Sequence, residues 1–448
     1  MQNGMQPFLQ ELKAYGDREL TVTDKISEKR KDNRIVSKNC KRIAKKNEYV
    51  GSFLVFVVLY LTASFNSTVG LIPVPLSAPI WVSVIIWAVL REKNMNRKLM
   101  TYYLIAVLLY ISSSLVNGFA LFRVIKYLLS LTAVIVLLNV YPLPVIKRAY
   151  LRCILFLSVV SLVMFPLMLI SPETFSGFSQ GTSTWRVYYN LYLFVHCIGS
   201  DRNCGMFWEP GAFAPFILLA IAILILEKDE EIQRRNLKMV VLLITLITTF
   251  STTGYIALAI CVTMILFDSK SSHLQKVGIL LLVLTVIAIG FYYFSDSIFN
   301  SRGYTTFGKL YKIFENSNYL DANSNNSSSV RLYSVIRPLE ICLNHPFLGV
   351  GYVNLQQMTA DSTRGAITCT FSNWFGMYGF IYGCMMLGGY LRFARLTGTN
   401  TMNRVLLSVL MLLCIATEDF SNNAFFLGIA ILGLSMPPKT KEGALQTV

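Results

Sequence analysis

The sequence predicts an all-α, polytopic integral membrane protein, and three observations carry that prediction. Hydrophobic residues make up 54% of the 448-residue chain and charged residues only 14%, where soluble proteins carry about a quarter. Mean hydropathy is +0.53. Apolar runs recur along the whole chain, and about 20 such residues suffice to cross a bilayer. The net charge of +16 would suit nucleic acid in a soluble chain. These runs exclude that partner and make the lipid bilayer the solvent.

About twelve transmembrane helices are expected, at 49–65, 71–90, 99–116, 124–140, 153–170, 209–226, 239–250, 255–267, 277–294, 371–391, 405–417 and 424–436. The pair 239–250 and 255–267 is parted by Ser251-Thr252-Thr253-Gly254. It reads either as two helices meeting at a turn or as one broken span, which would invert every later loop. Charge decides, because Lys and Arg collect in cytoplasmic loops. With twelve spans, thirty of the 40 basic residues and fourteen of the 24 acids share one side, which therefore holds the entire net charge. Both termini are expected in the cytoplasm.

Residues 1–48 read as a basic cytoplasmic tail without a signal-peptide pattern. It either lies on the anionic leaflet or serves as a disordered topology anchor. The transmembrane domain is 49–436, and 437–448 is a short cytoplasmic tail. Two large extracytoplasmic loops, 171–208 and 295–370, exceed connector length, and such loops are usually functional. The second is expected to hold a helical stretch near 304–315, a solvated Asn/Ser run at 316–329, and a helix over 330–344. That helix would be capped by serines and kinked at Pro338. The nine cysteines show no CxxC and no His/Cys spacing fit for a metal. A Cys197–Cys204 bridge is geometrically conceivable, with free buried thiols the default.

Two constellations could carry chemistry. DRNCGMFWEPGAFAPF, residues 201–216, brings Arg202, Trp208 and Glu209 to the mouth of a helix whose first turn suits Pro210. Glu209 reads either as a cap favoured by the macrodipole or as a general base whose pKa is raised by partial desolvation. SSSVRLYSVIRPLEICLNHPFLGVGYVN, residues 327–354, carries Arg331 and Arg337. Both are planar donors suited to a diphosphate, or else to a salt bridge with Glu340 or to lipid headgroups. His345, before Pro346 and two glycines, reads first as a helix stop and tight turn and second as a catalytic group. Glu418 and Asp419 fall at an external helix end, as interfacial residues. No acid chain runs through the helices, and no nucleotide cradle or metal-binding carboxylate motif occurs.

Three pieces carry a resemblance to a known family: RNCGMFWEPGAF (202–213), STTGY (251–255) after a span, and Arg331 followed by NHPFLGVG (344–351). Together they resemble the O-antigen polymerase and ligase superfamily of bacterial envelope glycosyltransferases. Their order, the two large loops and the number of spans extend the likeness over about residues 50–436.

The resemblance implies a multi-pass enzyme of the bacterial cytoplasmic (inner) membrane, acting on the outer face without nucleotide sugar, metal or cofactor. Its substrates would be undecaprenyl-diphosphate-linked oligosaccharides, with the acceptor hydroxyl attacking an anomeric carbon as lipid diphosphate departs. Polymerases of this kind lengthen O-antigen, capsular or exopolysaccharide chains; ligases move the finished glycan to lipid A core. Arg202 and Arg331 match the family's motif arginines and suit the leaving diphosphate. Arg186, Arg337 and Arg364 are further candidates to bind substrate. Glu209 is the first candidate base, His345 the second and Asp361 the third.

Ligases carry a His-Asn pair before the helix that follows the large loop. Here Ser372-Asn373 stands in that place, which favours a polymerase. A lipid-linked glycan transporter or flippase is the rival of a different class, disfavoured because the polar chemistry lies on one face. A chain-length regulator and a flippase are left open as partners.

Overall fold

The computed structural model describes residues 48–92, 94–118, 120–183, 186–227, 234–267, 327–360 and 367–437. The chain divides into two compact units, Met1–Phe53 and Leu54–Val448, and the second holds almost all the described residues. In chain order the helices are α1 (Glu48–Ala63), α2 (Phe65–Thr68), α3 (Val74–Arg91), α4 (Arg97–Asn117), α5 (Leu121–Val140), α6 (Leu143–Ile170) and α7 (Pro210–Leu226). They continue with α8 (Arg235–Thr248), α9 (Thr252–Leu266), α10 (Ser327–Asn344), α11 (Gly351–Ala360), α12 (Thr370–Thr397), α13 (Thr401–Ala416) and α14 (Ala424–Ser435).

Every expected span that falls on described residues coincides with one of these helices. The span at 277–294, the stretch at 304–315, residues 1–47 and residues 438–448 lie outside the described residues. Four helices, α3 to α6, are long and apolar enough to cross a membrane; α1, α7, α9, α13 and α14 are apolar but shorter.

The arrangement follows from which helices are apolar all round. α7 is buried along nearly its whole length, as a helix with no polar face must be, and α6, α8, α9 and α13 pack around it. α12 packs on α10, α13 and α14. The segment 239–267 is two helices. Phe250 takes a left-handed φ of 45° between them, and the Ser251 hydroxyl caps α9 by accepting from Gly254 N–H at 3.2 Å, as an N-cap serine does.

The all-α expectation needs one correction. The first long loop contains a 3-10 turn (Pro172–Phe178) and a small antiparallel sheet, β1 (Ser179–Ser183), β2 (Arg186–Asn190) and β3 (Val195–Cys197), in that order. Tyr188 pairs with Cys197 and Tyr189 with His196, and Tyr188 and Val195 pack on Phe65. Aromatic and β-branched residues suit such a half-buried pleat, but strands this short leave little alternation to read. Cys197 and Cys204 are free thiols. In the second loop, serines 327–329 lie inside α10, which continues through Pro338.

The HPFLGVG segment fills a break in α12. Gly379 has φ 84° and ψ 178°, a conformation essentially reserved for glycine. The helical bond between Phe380 and Gly376 is replaced by two others. Phe380 N–H donates to Pro346 O at 2.7 Å, and Gly376 O accepts from Val350 N–H at 3.0 Å. The Ser113 hydroxyl of α4 reaches Leu348 O at 2.7 Å and Met377 O at 3.0 Å, and Asn117 donates to Gly349 O at 3.2 Å. Each polar group exposed by the break thus finds a partner, as buried backbone must.

Gly379→Ala would drive a Cβ into the Phe347 carbonyl and force alanine into a region that costs about 1–3 kcal/mol. A clear fall in the thermal unfolding midpoint in detergent is the expected result.

Candidate active site

The site lies at the end of the bundle where α7, α9, α12 and α14 begin and α8 and α13 end. Glu209 occupies the N-cap position of α7, yet its side chain makes no capping bond. The first turn is closed by its backbone carbonyl alone, which accepts from Ala212 N–H at 3.1 Å, and Pro210 removes one donor that would want a cap. The carboxylate turns elsewhere. Its Oε2 lies 3.6 Å from Arg186 Nη1 on β2, and 28% of the Glu209 side chain stays exposed.

Arg202 is held by the end of α8. Its Nε donates to Thr249 O at 3.2 Å and its Nη2 to Phe250 O at 3.0 Å, satisfying carbonyls that a helix C-terminus leaves unpaired. Asn203 fastens the same loop, through its N–H to Thr248 O at 2.9 Å and its amide to Thr248 Oγ1 at 3.0 Å and Ser161 at 3.1 Å. Arg331 on α10 reaches across to Thr253 Oγ1 at 3.1 Å. Arg202 and Glu209 of the first piece, Thr253 of the second and Arg331 of the third therefore supply one cluster, while NHPFLGVG lies at the α12 break.

The fourth participant was placed at the interface by sequence reasoning. Glu418 is 3% exposed, in the turn between α13 and α14. Thr370 fixes this turn, donating to Glu418 O at 2.5 Å and accepting from Phe420 N–H at 2.7 Å. Trp374 donates to Ser421 O at 3.0 Å. The Glu418 carboxyl packs over Gly211, where a Cβ would collide with its Oε1 and where Glu209 Oε1 also points.

Burial, then the neighbouring Glu209 carboxylate, push the Glu418 carboxyl well above the usual glutamate range. Burial alone would raise Glu209 as well. The Glu418 hydrogen bond and the guanidiniums of Arg186, Arg331 and Arg202 outweigh it and hold Glu209 below its ordinary 4.5. That reverses the expected direction: desolvation does not win at Glu209, and the raised acid is Glu418. Asp419 next to it is raised by burial, against hydrogen bonds from Ser421.

The remaining candidates lie elsewhere. His345 ends α10 on an exposed turn, its carbonyl accepting from Gly349 N–H at 3.1 Å. Fourteen residues at about 1.5 Å each put it roughly 21 Å along the helix from Arg331. Arg337 pairs with Glu340 at 3.1 Å, both exposed. Asp361 and Arg364 lie outside the described residues. Ser372 and Asn373 are buried in the first turn of α12. His196 is buried against Phe165, and burial lowers its pKa. Among the described residues, no group of three or more His, Cys, Asp or Glu could hold a metal ion. A cleft beside the carboxyl pair, lined by Gly211, Ser251, Thr253 and Thr417, is about the size of one water.

Long apolar helices with a polar, charged cluster at one end of the bundle define a multi-pass membrane protein. Residues 237–371, under a third of the chain, match the family model described as O-antigen ligase. This match bears out the resemblance to the O-antigen polymerase and ligase superfamily, whose members are glycosyl-transferring enzymes of envelope polysaccharide synthesis. The matched segment contains STTGY, Arg331 and HPFLGVG; Arg186, Arg202, Glu209 and Glu418 lie outside it. No curated protein matches the chain.

Arg202→Lys keeps the charge but cannot span two carbonyls with one ammonium. It is expected to cost about 1–3 kcal/mol, the usual worth of a charged hydrogen bond, measured as a lower unfolding midpoint in detergent.

Proposed function

We propose that the protein polymerises undecaprenyl-diphosphate-linked oligosaccharide repeat units on the outer face of the cytoplasmic membrane, as a metal-independent glycosyltransferase. One observation carries this reading. Guanidiniums from three separate segments converge on a half-open carboxylate at one end of the bundle, which is what transfer from a lipid diphosphate needs. The acceptor hydroxyl oxygen attacks the anomeric carbon, and the bond from that carbon to the diphosphate oxygen breaks. The electron pair stays on the diphosphate, where Arg202, Arg331 and Arg186 neutralise it. The hydroxyl proton passes to Glu209. A carboxylate of low pKa is a weak base, but the attacking hydroxyl becomes acidic as its oxygen bonds to carbon, so a weak base placed correctly is enough.

The ligase reading has one observation in its favour, the description of the matched family model as O-antigen ligase. Against it stands Ser372-Asn373, where ligases carry His-Asn. Capsular, exopolysaccharide and O-antigen products are equally compatible with the cluster.

Purified protein supplied with lipid-linked repeat units in detergent, without nucleotide or partner, should build a ladder of longer glycans. Movement of the lipid across vesicles with no ladder would instead identify a flippase, and transfer to lipid A core alone a ligase. Glu209→Gln should slow elongation by about 10²–10⁴-fold, as loss of a general base does, while donor binding is retained. Arg331→Lys should also fail, because a point charge does not reproduce the planar fork. Normal elongation by Glu209→Gln alongside a dead His345→Ala would move the base to His345.

A further inference from the structure

Glu418 has no counterpart in the motifs that pointed to the site, and its surroundings are unusual. Its carboxyl is buried, and among the described residues its Oε1 has no hydrogen-bond donor. No cation pairs with it at ion-pair distance among the described residues. What it faces is another carboxyl, that of Glu209: a Cβ placed on Gly211 would meet the Oε1 atoms of both. A buried carboxylate without donor or cation is heavily penalised. Two carboxyls in contact relieve that penalty by holding one proton between them.

We propose that Glu418 is a positioning residue: by sharing a single proton with Glu209, it aims the Glu209 carboxylate at the acceptor hydroxyl. This deepens the polymerase reading and rests on it. The groups that face the pair are Arg186 on β2, Cys197 on β3, Arg202 and Cys204 in the loop before α7, Arg331 on α10, and Asp419. In the resting state the three arginines and the Glu418 proton all stabilise ionised Glu209. An incoming diphosphate draws the arginines to itself, and Glu418 remains as the partner that holds Glu209 in place. The proton balance closes simply. The pair enters with one proton, takes a second from the acceptor hydroxyl onto Glu209, and returns it to water after the product leaves.

Two signs follow from the opposite shifts of the two acids. Glu209 stays ionised to below its ordinary 4.5, so the acid limb of kcat/KM falls below that value. Glu418 loses its proton only well above the usual glutamate range. Its ionisation then places a second negative charge against Glu209 and produces a basic limb. Glu418→Gln keeps a neutral donor of the same shape, while Glu418→Leu removes the donor.

The experiment has two arms, both on the full-length protein in detergent. Infrared spectroscopy at neutral pH should show a protonated-carboxyl band in the wild type that is lost in Glu418→Gln; a band unchanged by that substitution overturns the shared proton. With lipid-linked repeat units, Glu418→Gln should elongate at near wild-type rate but lose the basic limb. Glu418→Leu should fall about 10–100-fold, as loss of one charged hydrogen bond implies. A basic limb that persists in Glu418→Gln overturns the positioning role. Because the infrared arm needs no substrate, a wild type that builds no ladder refutes the polymerase reading and leaves the carboxyl pair standing.

Discussion

A carboxylate drawn partly out of water keeps its charge only where cations and donors replace the lost solvent, and Glu209 draws them from four separate elements of the fold. Arg186 comes from a β-strand, Arg202 from the loop before α7, Arg331 from α10 and the Glu418 carboxyl from the turn before α14. Arg331 and Glu418 lie 122 and 209 residues beyond Glu209 in sequence, while Arg186 and Arg202 come from the stretch just before it. The convergence therefore demands that six helix ends meet at one place. The capping of α9 by Ser251, the carbonyls of α8 taken up by Arg202, and the Thr370 bonds to the 418–420 turn are all local conditions for that meeting.

Their division of labour is chemical. Arg202 spends two of its five donors on backbone carbonyls, so its orientation is fixed. Arg331 spends one on a hydroxyl. Arg186 is more than half exposed, so its pairing with Glu209 is worth little to stability and is easily exchanged for a ligand. An exposed cation beside two anchored ones suits the proposed diphosphate site, which would both bind its ligand and release it.

Helix positions were legible in the sequence because length and apolarity leave few alternatives in a bilayer. The cluster was half legible: Arg202, Glu209 and Arg331 sit in motifs dense enough to stand out. Glu418 was visible only as an acid between apolar helices, and its partner is set by tertiary packing that no local pattern encodes. The direction of the Glu209 shift failed for the same reason, since burial could be guessed from sequence but the approach of a second carboxyl from the turn before α14 could not. His345 drew attention by residue type, although its segment's conspicuous glycines serve the break in α12. The sheet at 179–197 was missed because three short strands carry too little periodicity.

The break at Gly379 has a mechanical consequence. A helix whose ladder is completed by a neighbouring segment cannot rotate or slide past it without losing those bonds. α10 and α12 are thus riveted together through residues 346–350. The first carries Arg331 near its far end, and the second grips the Glu418 turn through Thr370. Both arms bear on Glu209, which closes the linkage into a ring. An anion bound at Arg331 would therefore pull on the same frame that holds the Glu418 turn.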